Sequence, residues 1–238
     1  MVKNLVIAVV ALCFAVSVSA EKLIEGFEDK DVLKKMEIEG DVAISADQKH
    51  TGNSSLFVPV GATATWRFSK ENKFGTVTMW VYESLINIKV KNMKGPHFGL
   101  INSDDDKAVL IGAVKLSSQT EYYRDIFTAE NQWYSVWTSG FPRAPAGWKK
   151  FTFTFTDDKT LGVTLNDDAA DKIFPGKVAF FNKGANGVIF GGGTDMKKNN
   201  ETFYFDDVEV DVSDTAKAAS KETSKEAPTA APEATPKK

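Results

Sequence analysis

Residues 21–212 predict an all-β domain, an antiparallel two-sheet β-sandwich of the jelly-roll kind. Three observations carry the prediction. Short segments alternate apolar and polar residues with a period of two, and clusters of Gly, Asn and Asp punctuate them. Helical periodicity is confined to DVLKKME (31–37), enough for a turn or two. Many short strands with almost no helix fit a sandwich, and no repeat of solenoid or propeller length is present.

The elements follow in chain order. Residues 1–20, MVKNLVIAVVALCFAVSVSA, carry Lys3, an apolar run and a small-residue Val18-Ser19-Ala20 end, the layout of a signal peptide cleaved after Ala20. The run is short for a membrane span and no second one follows, so the mature chain is expected to have none. Strands are expected at 56–60, 63–68, 97–102, 108–116, 122–127 and 133–138. KFGTVTMWVYES (73–84) sets Val77, Met79 and Val81 against Thr76, Thr78, Trp80 and Tyr82. The clearest hairpin is KKFTFTFTDDKTLGVTLNDD (149–168): Phe151, Phe153 and Phe155 lead to an Asp157-Asp158 turn, and Leu161, Val163 and Leu165 return the apolar face. KVAFFNKGANGVIFGGG (177–193) reads as a strand pair turned at 183–187. The last strand is FYFDDVEVDV (203–212). Residues 213–238 are rich in Ala, Pro, Lys and Glu, with Pro228, Pro232 and Pro236 at every fourth position; they offer nothing to bury and are expected to be disordered.

Bulk properties remove several function classes. Cys13 is the sole cysteine and lies in the signal segment, so disulfide-stapled secreted scaffolds are excluded. The formal net charge is −3, and loss of Lys3 lowers it by one more. A mildly acidic chain without basic patches has no electrostatic footprint for nucleic acid.

In the last strand Val208, Val210 and Val212 alternate with acids, and running that parity backwards puts Asp206 on the valine side. IEGFEDKD (24–31), HTGNSSLFV (50–58) and FYFDDVEV (203–210) together resemble the frame of calcium-containing carbohydrate-binding modules of β-jelly-roll type. RAPAGWKKFTFTF (143–155) with LGVTLND is similar to a strand and hairpin of concanavalin A-like lectin/glucanase domains, with Lys149 where those often have histidine. The resemblance implies that the first and last strands are neighbours and that Glu28 and Asp206 are carboxylate ligands of a structural Ca²⁺, completed by carbonyls near Gly26 and from 49–52. The alternative is that Asp206 accepts hydrogen bonds from backbone amides of 25–28 with no metal, because a buried carboxylate needs a partner.

Catalytic patterns are missing from the sequence. Glycosidases need two facing carboxylates, roughly 5–5.5 Å apart for retention or ~6.5–9.5 Å for inversion. In glucanases of this kind they come from one strand as E-x-D-x-E, whereas TEYYRD supplies only Glu121 and Asp125. The strand patterns of jelly-roll polysaccharide lyases do not occur. His50 and His97 are read as solvated or core-edge histidines, FGGGTD (190–195) as a bulge or loop, and Asp104-Asp105-Asp106 as a hairpin tip with room for a surface calcium. The chain is therefore expected not to be an enzyme.

One stretch is unusual. Residues 121–148 hold three of the five tryptophans. In a strand at 133–138, Trp133 and Trp137 share one face and Tyr134 and Val136 the other, and one core cannot bury both. Aromatic rings stack on pyranose C–H faces while polar neighbours fix hydroxyls, so Trp133, Trp137, Tyr123 and Arg124 are the expected glycan-binding residues. The functional expectation is a secreted, periplasmic or cell-surface carbohydrate-binding sandwich; a protein-interaction domain is the alternative.

Overall fold

The computed structural model describes residues 20–72, 74–83, 94–102, 107–116, 119–127, 133–136, 146–155, 161–167, 185–192 and 202–213. Within them the chain is an antiparallel two-sheet β-sandwich. The first sheet contains β1 (Ala20–Glu25), β3 (Ala43–Ser45), β4 (Ser55–Pro59), β6 (Phe74–Glu83), β11 (Gly147–Phe155), β12 (Leu161–Leu165) and β14 (Thr202–Ser213). The second contains β2 (Met36–Glu39), β5 (Thr63–Asn72), β7 (Lys94–Asn102), β8 (Lys107–Leu116), β9 (Gln119–Phe127), β10 (Trp133–Val136) and β13 (Ala185–Gly191). Their orders are β12-β11-β6-β14-β4-β3, with β1 beside β14, and β10-β9-β8-β7-β13-β5-β2. Residues 1–19 and 214–238, and the turns expected at Asp157-Asp158 and Asp104–Asp106, lie outside the described residues, whereas Ala20 and Ser213 belong to strands.

Period-two patterning sets the layers. Val77, Met79 and Val81 of β6, Phe151, Phe153 and Phe155 of β11, and Val163 and Leu165 of β12 are buried. Register pairs Phe151 with Leu165 and Phe153 with Val163, so the hairpin's apolar residues meet on one face. Phenylalanines join the two sheets: Phe98 of β7 lies 4.7 Å from Phe151 and 5.8 Å from Phe205, and Phe190 of β13 lies 5.1 Å from Phe205. Their inclined, edge-on arrangements are the ones the ring quadrupole favours. The helical segment is a 3₁₀ turn, Lys30–Lys35, started by Asp29 accepting from the Asp31 amide and anchored by buried Val32.

The first and last strands are neighbours: β1 pairs with β14 from Ala20↔Ser213 to Glu25↔Val208. The same edge of β14 pairs with β4 from Thr202↔Pro59 to Phe205↔Leu56. Between these two partners β14 carries a bulge, with Asp206 opposite Trp80 and Glu209 opposite Thr78 on β6. The extra residue inverts the alternation. Phe203 and Phe205 are buried upstream, Val208, Val210 and Val212 downstream. Asp206 therefore lies on the outer face with Trp80, not on the valine side as unbroken parity predicts.

A second departure concerns 183–187. Ala185 and Gly187 are not a turn but belong to β13, and the register against β5 shifts between them. Asn-Gly here marks an irregular strand start. In the following FGGG run, a Cβ on Gly192 would sit 1.9 Å from the Pro59 carbonyl oxygen, so that glycine permits close backbone approach.

Candidate functional site

The bulge in β14 is roofed by the loop between β3 and β4. Asp206, fully buried, accepts from the amides of His50 at 2.8 Å and Thr51 at 3.3 Å through Oδ2, and from the Asp207 amide at 2.8 Å through Oδ1. Asp207 accepts from the Thr51 hydroxyl at 2.7 Å, and its Oδ2 lies 2.6 Å from His50 Nδ1. A carboxylate only accepts, so Nδ1 is the donor in this contact. Glu28 holds the far side of the loop, its Oε1 accepting from the amides of Asn53 at 2.8 Å and Ser54 at 3.3 Å. The Ser54 hydroxyl donates to the Phe27 carbonyl. Both ends of the domain thus grip one loop.

The backbone is contorted at this clamp. Phe27 and Asp207 have φ of 54° and 43°, a left-handed region that a bulky side chain seldom enters. The carboxylate of Glu25 accepts from the Phe27 amide and helps to hold that turn, while the Phe27 ring is buried edge-on to Phe190. Gly52, at φ 58°, lies where a Cβ would collide with the Glu28 carboxylate.

Charge follows from these contacts. Burial pushes the Asp206 carboxyl above its ordinary pKa, opposed by the His50 and Asp207 amides, with Asp207's charge adding to the rise. The Asn53 amide pulls Glu28 below its ordinary value. Among the described residues, no Lys or Arg pairs with Glu28, Asp206 or Asp207, and no group of three or more His, Cys, Asp or Glu side chains is placed to hold a metal.

An aromatic surface adjoins the clamp. Phe57 of β4, Tyr204 of β14, Tyr82 of β6 and Trp148 of β11 form a row across four neighbouring strands on the outer face. Ring centroids are 5.5 Å apart for Phe57–Tyr204, 6.1 Å for Tyr204–Tyr82 and 5.5 Å for Tyr82–Trp148. Tyr204 is buried beneath the row and the other three rings are half-buried. His50 stacks on Trp80 at 3.7 Å and 17°, and stands 5.8 Å from Trp148, linking clamp to row. On β11 Lys150 pairs in register with Trp80, and its ammonium lies 2.9 Å from Asp167.

The sequence-predicted residues fall in two places. Glu28 and Asp206 are brought together on one loop by the pairing of the chain ends. Tyr123 and Arg124 lie on β9 and Trp133 on β10, at the edge of the second sheet, with Trp133 opposite Phe127 and Val136 opposite Arg124. Their side chains, and all of Trp137, lie outside what the structure describes. Sequence reasoning missed His50, Trp80, Tyr82 and Trp148 as a group. Their outward parity was readable on β6; the adjacency of β11 and the seating of the 46–54 loop were not.

Among the described residues no helix is long and apolar enough to cross a membrane. No protein-family model and no curated protein matches the chain. In fold it is similar to the cellulose-induced protein Cip1, at 16% identity over 79% of this chain and 96% of that one, with a TM-score of 0.56. It is also similar to a conserved carbohydrate esterase from the Shiga toxin-encoding bacteriophage phi24B, at 12% identity over 79% of this chain and 99% of that one, with a TM-score of 0.51. At such identities the likeness is one of fold.

Proposed function

We propose that the chain is a secreted, non-catalytic carbohydrate-binding β-sandwich of the jelly-roll module or concanavalin A-like kind. The observation that carries the reading is the half-buried aromatic row of Phe57, Tyr82 and Trp148, laid across adjacent strands beside the Lys150–Asp167 pair and the His50 ring. Rigid aromatic surface with polar groups at its margin is what pyranose stacking and hydroxyl recognition require. Two fold neighbours, one named for induction by cellulose and one a carbohydrate esterase, point to the same ligand class. Trp133, Trp137, Tyr123 and Arg124, on the other sheet, are proposed as a second contact patch. The test is retention of the mature chain on a panel of polysaccharides, with Trp148→Ala and Trp133→Ala compared against the unaltered protein. Retention weakened by either substitution supports the reading; a protein that binds no glycan removes it.

A structural Ca²⁺ is proposed at the chain-end clamp, with Glu28 and Asp206 as its carboxylates. The favouring observation is electrostatic: Asp207 bears on both of them, Asp206 is buried, and no described Lys or Arg offsets the charge. Since no three acidic or histidine side chains converge, carbonyls and water would supply the rest of the six to eight oxygens calcium takes. Amides already satisfy Asp206 and one oxygen of Glu28, so the ion would add stability to a clamp that closes without it. A chelator should lower the melting temperature and added Ca²⁺ restore it; a melt indifferent to both leaves the hydrogen-bonded clamp alone.

A further inference from the structure

Resting on the glycan reading, we infer that the outer face of the first sheet takes a single soluble, uncharged glycan chain, and that His50 Nε2 hydrogen-bonds one of its hydroxyls. Three features of the face lead there.

The first is ring orientation. The neighbouring half-buried rings of Tyr82 and Trp148 are inclined by 69° and share no common plane, and the buried Tyr204 beneath the row is inclined by 47° to Phe57 and 88° to Tyr82. A crystalline polysaccharide presents a flat face and needs coplanar rings to lie on it. Rings turned relative to one another instead suit a lone chain whose successive sugars rotate along its length. The row crosses three strand intervals, about 14 Å at the usual spacing between neighbouring strands, long enough for several sugar units.

The second is charge. The polar contacts flanking the row are paired internally: Lys150 with Asp167 at 2.9 Å, and His50 Nδ1 with Asp207 at 2.6 Å. Lys150, the cation that strand register sets opposite Trp80, is thus occupied by Asp167 and not left for a uronate. The face therefore fits a neutral polymer.

The third is His50 itself. Nδ1 is committed to Asp207, and no described group hydrogen-bonds Nε2. The side chain retains 24% of its exposure while lying flat on Trp80. A ring nitrogen held in place beside aromatic rings is suited to orient a hydroxyl, which can either donate or accept, and the Asp207 and Asp206 contacts make those acids positioning residues for it.

The test is affinity electrophoresis of the mature full-length chain through gels of hydroxyethylcellulose, mixed-linkage β-glucan, galactomannan or polygalacturonate, beside pull-down on microcrystalline cellulose and chitin. At least one neutral soluble polymer should retard the chain. The crystalline solids and polygalacturonate should bind at least tenfold more weakly. Trp148→Ala and Tyr82→Ala should each weaken the retardation about tenfold or more, and Glu209→Ala, on the charged half of the same face, should leave it. His50→Gln places an amide oxygen near the Nε2 position and should keep part of the affinity; His50→Asn, which reaches only the Nδ1 position, should lose several-fold. Preference for crystalline or anionic polymer, or loss with Trp133→Ala but not Trp148→Ala, overturns this inference and leaves glycan binding standing. Binding to none of the polymers ends both. Equal affinity of the two His50 variants removes the hydroxyl contact. Should the Trp148 and Tyr82 variants not fold, acrylamide quenching of the unaltered protein decides: the neutral polymer should shield tryptophan emission, and unchanged quenching overturns the placement.

Discussion

On its outer face the first sheet has two unlike halves, divided at the bulge of β14. Upstream, Tyr204 stands among Phe57, Tyr82, Trp80 and Trp148. Downstream the same strand presents Glu209 and Asp211 opposite Thr78 and Thr76, with Lys22 of β1 pairing with Glu209 at 2.8 Å. The inner face shows no such division: Phe205 and Val210 are both fully buried in one core. A single inserted residue lets one strand change the chemistry of its outer face, exchange β4 for β1 as its partner, and still fill a continuous interior. The aromatic half lies where the loop and the bulge meet, and the charged half reads as ordinary solvated surface.

That contrast can be broken at several levels. Phe205→Ala, in the shared core, should cost about 3–5 kcal/mol in denaturant unfolding; a small cost would mean the interior does not run through the bulge. At the divide, Asp206→Ala strands the His50 and Thr51 amides and should cost about 1–3 kcal/mol. Gly52→Ala should cost about 1–2 kcal/mol from its left-handed backbone alone, before the collision with Glu28 is counted. If both unfold like the unaltered chain, the clamp does not close the domain.

Acidification should separate the two carboxylates of the clamp. The Asp206 pKa is raised in the fold, so its charge opposes folding near neutrality, and this opposition fades as pH falls through the raised value. Glu28 is lowered, so its contribution is present above its unfolded pKa and is lost as pH drops towards the folded one. Melting temperature followed from pH 7 to pH 3 should therefore fall more steeply in Asp206→Asn and less steeply in Glu28→Gln than in the unaltered protein. The reverse order would overturn the assignment of these shifts. The smallest effect belongs to the charged half: Glu209→Ala, which removes an exposed ion pair, should change stability by about 1 kcal/mol or less and leave glycan retention untouched.

Much of the scaffold could be read from the chain. Alternation on β6 and in the β11–β12 hairpin identified which residues are buried, because both strands hold the simple period throughout. Alternation misled at β14, where the inserted residue leaves no mark in composition, and at 185–187, where Asn-Gly looks the same in an irregular strand as in a turn. The meeting of Glu28 and Asp206 on one loop followed from a resemblance carried by three short motifs rather than from pattern. In sequence His50 reads as a bystander, since a turn histidine discloses neither its carboxylate partner nor the indole beneath it. The aromatic row needed the sheet order, which brings Trp148 beside Tyr82 across 66 residues of sequence.

The Glu21–Val212 pairing has a consequence for how the domain is presented. Tyr204 precedes Ser213 by nine residues of β14, about 30 Å along an extended strand. A wall, a scaffold or a fused enzyme attached through either terminus would grasp the molecule at the same corner. Its tethering point and its aromatic row would then sit at opposite ends of the sheet, a layout in which anchorage and capture do not compete for room.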